Sequence, residues 1–224
     1  MLMKTKIMKK YFLFLAIVML VSCKEVPLEN NIYFEDPQPI NDSELAKIPS
    51  KFIGEYLNDD SLKLNITDEI ISYTNNFKIS IHKSELDSLK DELVYKDGKF
   101  IEKKTNTVLE NKIFGDSIEF NIKDVDTVFK FSDFQKAKRI NGKLILSKKD
   151  SLYWQIEILT LNKNVITIEE LRADSDIMAI DSLTKIKAKE IDRNNYIVKP
   201  SRKEFSKILK LKKLGYSSTF RKIK

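Results

Sequence analysis

Leu152-Tyr153-Trp154-Gln155-Ile156-Glu157-Ile158-Leu159-Thr160-Leu161, then Asn162-Lys163-Asn164, then Val165-Ile166-Thr167-Ile168-Glu169-Glu170-Leu171, is the stretch on which the fold turns. Both runs are rich in β-branched and aromatic residues, and the three polar residues between them leave room only for a hairpin turn. Outward from this pair the texture repeats. Short apolar or alternating runs lie at 52–56, 62–66, 70–74, 77–81, 93–95, 100–102, 108–113, 118–122, 127–131 and 144–147. Their separators are Asn58-Asp59-Asp60, Lys96-Asp97-Gly98-Lys99, Gly115-Asp116-Ser117 and Asn141-Gly142, all turn chemistry. Strands this close together need antiparallel neighbours, because a parallel pair requires a crossover of about a dozen residues. The expectation is a mainly β chain: an antiparallel meander, either barrel-like or split into two small β units, with a C-terminal amphipathic helix.

The alternative of two units rests on an internal likeness. Phe52-Ile53-Gly54-Glu55-Tyr56 precedes Asp60-Ser61-Leu62-Lys63-Leu64-Asn65-Ile66, and Ile140-Asn141-Gly142-Lys143-Leu144 precedes Asp150-Ser151-Leu152-Tyr153-Trp154-Gln155-Ile156. Residues 50–224 therefore form the β-rich domain, with possible halves at 50–137 and 138–224.

After Leu171 the apolar period lengthens from two to three or four. Ile177, Ile180, Leu183 and Ile186 predict a helix capped near Asp174 and Ser175. A second helix is predicted over 201–214: Ser201-Arg202-Lys203-Glu204 is a capping box, Phe205, Ile208, Leu209 and Leu211 or Leu214 form its apolar stripe, and Gly215 stops it. Residues 219–223 then return as a final strand.

The N-terminus carries an address. Lys9 and Lys10 lead into the apolar run from Tyr11 to Val21, which is too short to span a membrane as a helix, and Ser22 and then Cys23 follow. Residues 1–22 thus read as a secretory signal, with Met8 a possible alternative start. Cys23 is the only cysteine in the chain, so the exported domain has no disulfide to lean on. Residues 23–49 read as a flexible tether, because Pro27, Pro37, Pro39 and Pro49 lie there among polar residues and no apolar period persists. Within it, Ile32-Tyr33-Phe34 is a patch able to dock on the domain or to be recognised by another protein.

The formal charge of +7 has to be divided along the chain. Lys4, Lys6, Lys9 and Lys10 lie in the signal, and the residues from Lys199 onward are strongly basic with Glu204 their sole acid. The body between is mildly acidic. An acidic body with a basic end on an exported chain is not the profile of a nucleic-acid binder.

Catalytic motifs are missing. His82 is the only histidine and lies at a strand end; with no Gly-x-Ser-x-Gly elbow and no second thiol, no nucleophilic triad is legible. His/Cys zinc sites are excluded by count, five glycines offer none of the phosphate-loop spacings, and Asp124-x-Asp126 and Asp174-x-Asp176 have neither the glycine nor the distal glutamate of a calcium loop. No catalytic residue, metal or cofactor is assigned, and the chain is expected not to be an enzyme.

Asp, then Ser or Thr, then an aliphatic residue occurs at Ser61, Ser88, Ser117, Thr127, Ser151 and Ser182, well above what this composition yields by chance. The pattern is similar to the O-glycosylation sequon of secreted Bacteroidetes proteins. It is also ordinary turn and cap chemistry, since Asp-Ser opens turns and a following aliphatic residue starts a strand or helix.

Leu20-Val21-Ser22-Cys23 resembles the lipobox of bacterial lipoproteins, which implies that the Cys23 sulfur carries a diacylglycerol and that the signal is cut before it. Acyl chains contribute about 0.8 kcal/mol per buried CH₂, so two or three hold a protein permanently at a bilayer. The early Gly54-Glu55-Tyr56 resembles the Gly-x-Trp opening of lipocalin-like barrels. In overall pattern, with lipobox, proline-containing tether, β-body and closing Pro200-Ser201-Arg202-Lys203-Glu204-Phe205 helix, the chain resembles the small flavobacterial lipoproteins, a group that brings no assigned activity. The resemblance implies an outer-membrane lipoprotein on the periplasmic face or the cell surface. Its expected role is a binding or interaction module, with an envelope protein or small apolar ligand as partner and Tyr153 and Trp154 as possible contacts. The alternatives are a carboxylate-dependent envelope hydrolase and a structural accessory subunit of an envelope complex.

Overall fold

A computed structural model describes residues 31–185, 187–192, 194–211 and 214–223. After β1 (Ile32–Phe34) and a strap over residues 35–49, a 3-10 turn leads into β2 (Gly54–Leu57) and β3 (Lys63–Ile66). β4 (Ile70–His82) then runs out from the body. A 3-10 segment at Lys83–Leu89 caps its end, and β5 (Leu93–Lys96), β6 (Lys99–Glu102) and β7 (Thr107–Phe114) lead to β8 (Ser117–Lys130), which runs back along β4. β9 (Gln135–Ile140), β10 (Lys143–Asp150), β11 (Tyr153–Asn162) and β12 (Val165–Glu170) follow as a meander. Helix α1 (Ala173–Leu183), β13 (Lys189–Asp192), β14 (Asn195–Val198), helix α2 (Arg202–Ile208) and β15 (Tyr216–Lys222) complete the chain.

The strands join in one sheet of fifteen, in the order β13-β14-β1-β11-β12-β15-β2-β3-β4-β8-β7-β6-β5, with β10 and β9 added on the other edge of β11. The fold is mainly β, as the sequence predicts, but the sheet does not close into a barrel, so the barrel-like option is not what forms. Turn chemistry fixes the register of its hairpins. Asp97-Gly98 and Asn141-Gly142 both hold positive φ at successive positions (53° and 76°, 51° and 78°), the mirror-image turn that matches the strands' twist.

Three expectations need correction. First, the sheet is mixed: β1 pairs antiparallel with β11 through Phe34 and Trp154 but parallel with β14. The rule against parallel neighbours holds for consecutive strands, and more than a hundred and sixty residues separate Tyr33 from its partner Ile197. Second, 70–74 and 77–81 are one strand, as are 118–122 and 127–131; Asn75 and Asn76 look like a turn but pair across to Asp124 and Lys123 without a break. Third, the halves 50–137 and 138–224 do not have separate cores. Tyr56, Leu64, Ile66, Ile71 and Phe129 pack with Ala137, Leu144, Leu146, Leu159 and Phe220 in one cluster, and β15 is inserted between β12 and β2.

The two likened segments do each form a strand-turn-strand, and Ser61 and Ser151 both hold positive φ (64° and 56°). Their loops differ, because β2 and β3 are joined by residues 58–62 whereas β10 and β11 are joined by Ser151 and Leu152 alone.

Residues 31–49 are not a tether but part of the body. Phe34 and Ile48 are fully buried. The Leu45 N–H donates to the Ala137 carbonyl at 2.8 Å and the Ile48 N–H to the Asp68 carbonyl at 2.7 Å. Lys138 Nζ donates to the Pro37 and Pro39 carbonyls at 3.1 and 3.0 Å, and burial lowers its pKa. The strap's apolar residues insert singly, at no regular period, so composition alone reads as linker. The remaining tether residues, with Cys23 and the signal, lie outside the described residues.

Beneath α1 and α2 a second cluster forms on the opposite face of β10 and β11, joining Ile145, Trp154, Ile156 and Ile158 to Ile180, Phe205 and Ile208. Helix α2 is seven residues long rather than the predicted 201–214. Its capping box is present as read, and Phe205 and Ile208 are its buried stripe; the last turn tightens, with the Lys210 N–H donating to the Lys207 carbonyl. Its basic flank is met by the strap, where Arg202 pairs with Asp42 and Lys199 with Glu35. Helix α1 starts after Arg172, and Ile186 lies outside the described residues.

The outer reach of β4 and β8, with β5–β7, stands apart as an arm. Its own small cluster is Phe100, Ile118 and Phe120, with Ile81, Leu86, Leu93, Leu109 and Ile122 packed against it.

Candidate functional site

Two places combine accessibility with unusual chemistry: a cleft where the sheet splits, and one face of the arm.

The cleft arises from topology. One edge of β11 is taken by β10, but the other is divided: Trp154 meets β1, while β12 begins to pair only at Glu157. An antiparallel bridge between Asn31 and Arg172 closes the gap from the far side. The space left between the diverging strands is a cleft of about 230 Å³, lined by Asn31, Ile32, Lys148, Gln155, Ile156, Glu157, Glu170, Leu171 and Arg172.

Its polar groups neutralise one another. Glu157 and Glu170 stand directly opposite across β11 and β12, where like charges alone would repel. Lys148 pairs with Glu157 from the β10 side, and Arg172 Nη2 pairs with Glu170 Oε2 at 3.1 Å. Burial nevertheless pushes the Glu157 carboxyl above the ordinary carboxylate range; Lys148 opposes that rise and Glu170 adds to it. Tyr73, stacked on Phe220 with ring centroids 5.7 Å apart, has its hydroxyl pKa raised first by burial and then by Glu157 and Glu170. The cleft is thus a charge-compensated polar site in which burial raises the pKa of one carboxyl, Glu157, suited to a small polar ligand rather than an apolar one. The Glu157–Glu170 pairing was legible: a turn that sets Asn162 opposite Val165 sets 157 opposite 170.

The arm carries the second place. Along β4, Phe77, Ile79 and Ile81 face Ile122, Phe120 and Ile118 of β8, and Ile113 continues the row on β7. The arm's cluster covers part of this face, yet Phe77 and Ile79 remain 41% and 43% exposed, and Ile113 and Tyr95 55% and 62%. Large side chains that exposed on one arm are what contact surfaces present.

The sequence-derived candidates fall elsewhere. Trp154 is buried beneath the helices, with Lys149 Nζ 5.8 Å from its ring centroid, and Tyr153 is half-buried, 6.3 Å from the Tyr33 ring. Neither lines the cleft. Ser61, Ser88, Thr127, Ser151 and Ser182 are exposed and Ser117 is half-buried. The Ser88 and Ser182 hydroxyls donate to the Glu85 and Ala179 carbonyls, which is cap and turn duty. His82 is an exposed strand-end residue whose Nδ1 accepts from the Ser84 N–H. Asp176 is a buried clamp, since its Oδ2 accepts from the Arg172 N–H at 2.8 Å and its Oδ1 from the Gly215 N–H at 3.0 Å. Among the described residues no group of three His, Cys, Asp or Glu side chains is placed to hold a metal ion, and no helix is long and apolar enough to cross a membrane.

No family model, no curated protein and no solved structure matches the chain.

Proposed function

We propose that the chain is a lipid-anchored protein of the bacterial outer membrane that acts by binding, as an interaction module or accessory subunit, with the arm as its contact surface. The observation that carries this reading is the exposure of Phe77, Ile79, Tyr95 and Ile113 on the arm, which the body's cores do not cover. The lipobox around Cys23 supports the anchor. The test is quantitative purification of the lipidated protein from its own membranes, wild type beside a Tyr95→Lys/Ile113→Lys double variant. A stoichiometric envelope protein retained by the wild type and lost from the variant is the expected result; equal recovery with both would overturn the reading.

A second reading, a carboxylate-dependent envelope hydrolase, is favoured by one observation: Glu157 and Glu170 face each other in the cleft and burial raises the pKa of Glu157. Its test is turnover of a panel of envelope glycans and peptides, with Glu157→Gln as the variant that must abolish it.

A further inference from the structure

β4 has thirteen residues, Ile70–His82, but on the side away from β8 only four of them, Ile71 to Thr74, are paired with β3. Among the described residues no strand pairs with that side of the next eight, Asn75 to His82. From Asn75 to Ser80 every residue is exposed. An open, extended edge of this length is a template for another strand, and natural sheets normally guard it with outward lysines, prolines or bulges. Here the guards are missing or turned away. The segment Asn75-Asn76-Phe77-Lys78-Ile79-Ser80-Ile81-His82 has no proline, and the only register irregularity of the β4–β8 pair lies at Ile71/Ser72, before the segment begins. Its one lysine, Lys78, reaches back over the sheet to Glu119 Oε1 at 2.9 Å.

We propose that this edge pairs antiparallel with the same edge of a second copy of the chain, about a two-fold axis through Ile79, so that two arms form one continuous sheet. The inference rests on the reading of the arm as a contact surface and names its partner. Alternation and charge select the register. With the two-fold normal to the sheet, opposed residues must share a face, so the axis passes through a residue. Centring on Lys78 would set two lysines opposite each other, and centring on Ser80 would set Lys78 opposite His82 and use fewer residues. Centring on Ile79 opposes Ile79 with itself, Phe77 with Ile81, Lys78 with Ser80 and Asn76 with His82, engaging seven residues without a like-charge pair. The apolar rows of the two arms then run together on one face. Because the pairing is self-complementary it consumes the edge in a closed dimer and does not propagate.

The test is sedimentation equilibrium of the full lipidated chain in detergent, with a cysteine cross-link to fix the register. The wild type is expected to be a dimer at micromolar concentration. Ile79→Lys, which sets two ammonium groups face to face at the axis, is expected to weaken association by about tenfold or more. Ile79→Cys is expected to give an interchain disulfide on mild oxidation, since directly opposed strand residues lie within disulfide reach, whereas Lys78→Cys and the parent with Cys23 alone are expected to give none. A wild type that stays monomeric at about 100 µM, or a dimer indifferent to Ile79→Lys and not cross-linked through position 79, would overturn the proposal. A monomer that still captures an envelope protein through Tyr95 and Ile113 overturns the dimer and leaves the binding reading standing. A cross-linked dimer with no such capture does the reverse.

Discussion

The carboxylate of Asp176 accepts a hydrogen bond from the backbone N–H of Gly215, 39 residues away, and with its second oxygen ties down the Arg172 N–H at the start of α1. Asp176 is 2% exposed, so both donors depend on it. Asp176→Ala leaves two amides and a cavity behind, and is expected to lower stability by about 2–4 kcal/mol, with Asp176→Asn costing less. Urea denaturation checks it.

The same joint explains why residue 215 is glycine. A Cβ there would stand 2.2 Å from the Glu170 carbonyl oxygen and 2.8 Å from the Arg172 nitrogen, both backbone atoms that cannot swing aside. Gly215→Ala is therefore expected to push apart the very residues that close one wall of the cleft. The prediction is a large loss of thermal stability, and amide exchange that quickens first around Glu170 and Arg172.

Ser201→Ala removes the acceptor of the α2 capping box and is expected to cost about 1 kcal/mol. Hydrogen bonds from Ser201, side chain and then backbone, hold the Glu204 carboxyl below the usual glutamate range. A depressed carboxyl stabilises the fold above the unfolded-state pKa and loses that contribution as pH falls through the folded value. The variant's Glu204, followed by carbon-13 NMR, is expected to titrate at higher pH than in the wild type.

Glu157 has the opposite sign. Its raised pKa means that the folded state holds this proton more firmly than the unfolded state, a stabilising contribution present at low pH and lost as pH rises through the folded value. The stability of the wild type relative to Glu157→Gln is expected to decline as pH rises from the unfolded carboxylate range to neutrality. Paired denaturation curves across that range measure it, and a flat difference would count against a buried carboxyl here.

The single tryptophan separates body from arm. Trp154 lies in the helix-covered cluster, whereas the arm packs around Phe100, Ile118 and Phe120. Replacing residues 78–121 by Asn-Gly, between the opposed Phe77 and Ile122, is expected to leave the buried-tryptophan emission intact. Phe205→Ala, which removes the edge-on partner of Phe34 at 5.9 Å, is expected to cost about 3–5 kcal/mol and to shift that emission to the red.

What the sequence made legible was local. Hairpins announced themselves through Asp97-Gly98 and Asn141-Gly142, and α2 through Ser201 and Glu204, because those signals act over two to four residues. β9 was missed since Gln135-Lys136-Ala137-Lys138-Arg139-Ile140 is polar by composition, though Ala137 and Lys138 are buried under the strap. The strap was missed for the converse reason, its ordering coming from single contacts with residues about a hundred positions away. The cleft depends on where β1 and β12 part along β11, a long-range choice of neighbours that no local pattern encodes.

That choice of neighbours also sets how the molecule answers force. The three residues of β1 pair with β14 running the same way, and at its end Phe34 is also held by Trp154 of β11 running the other. A pull on the chain ahead of Asn31, resisted by the body, runs along the strand, so the three residue pairs with β14 share the load rather than opening one after another. The route by which the N-terminus enters the sheet is built to withstand shear.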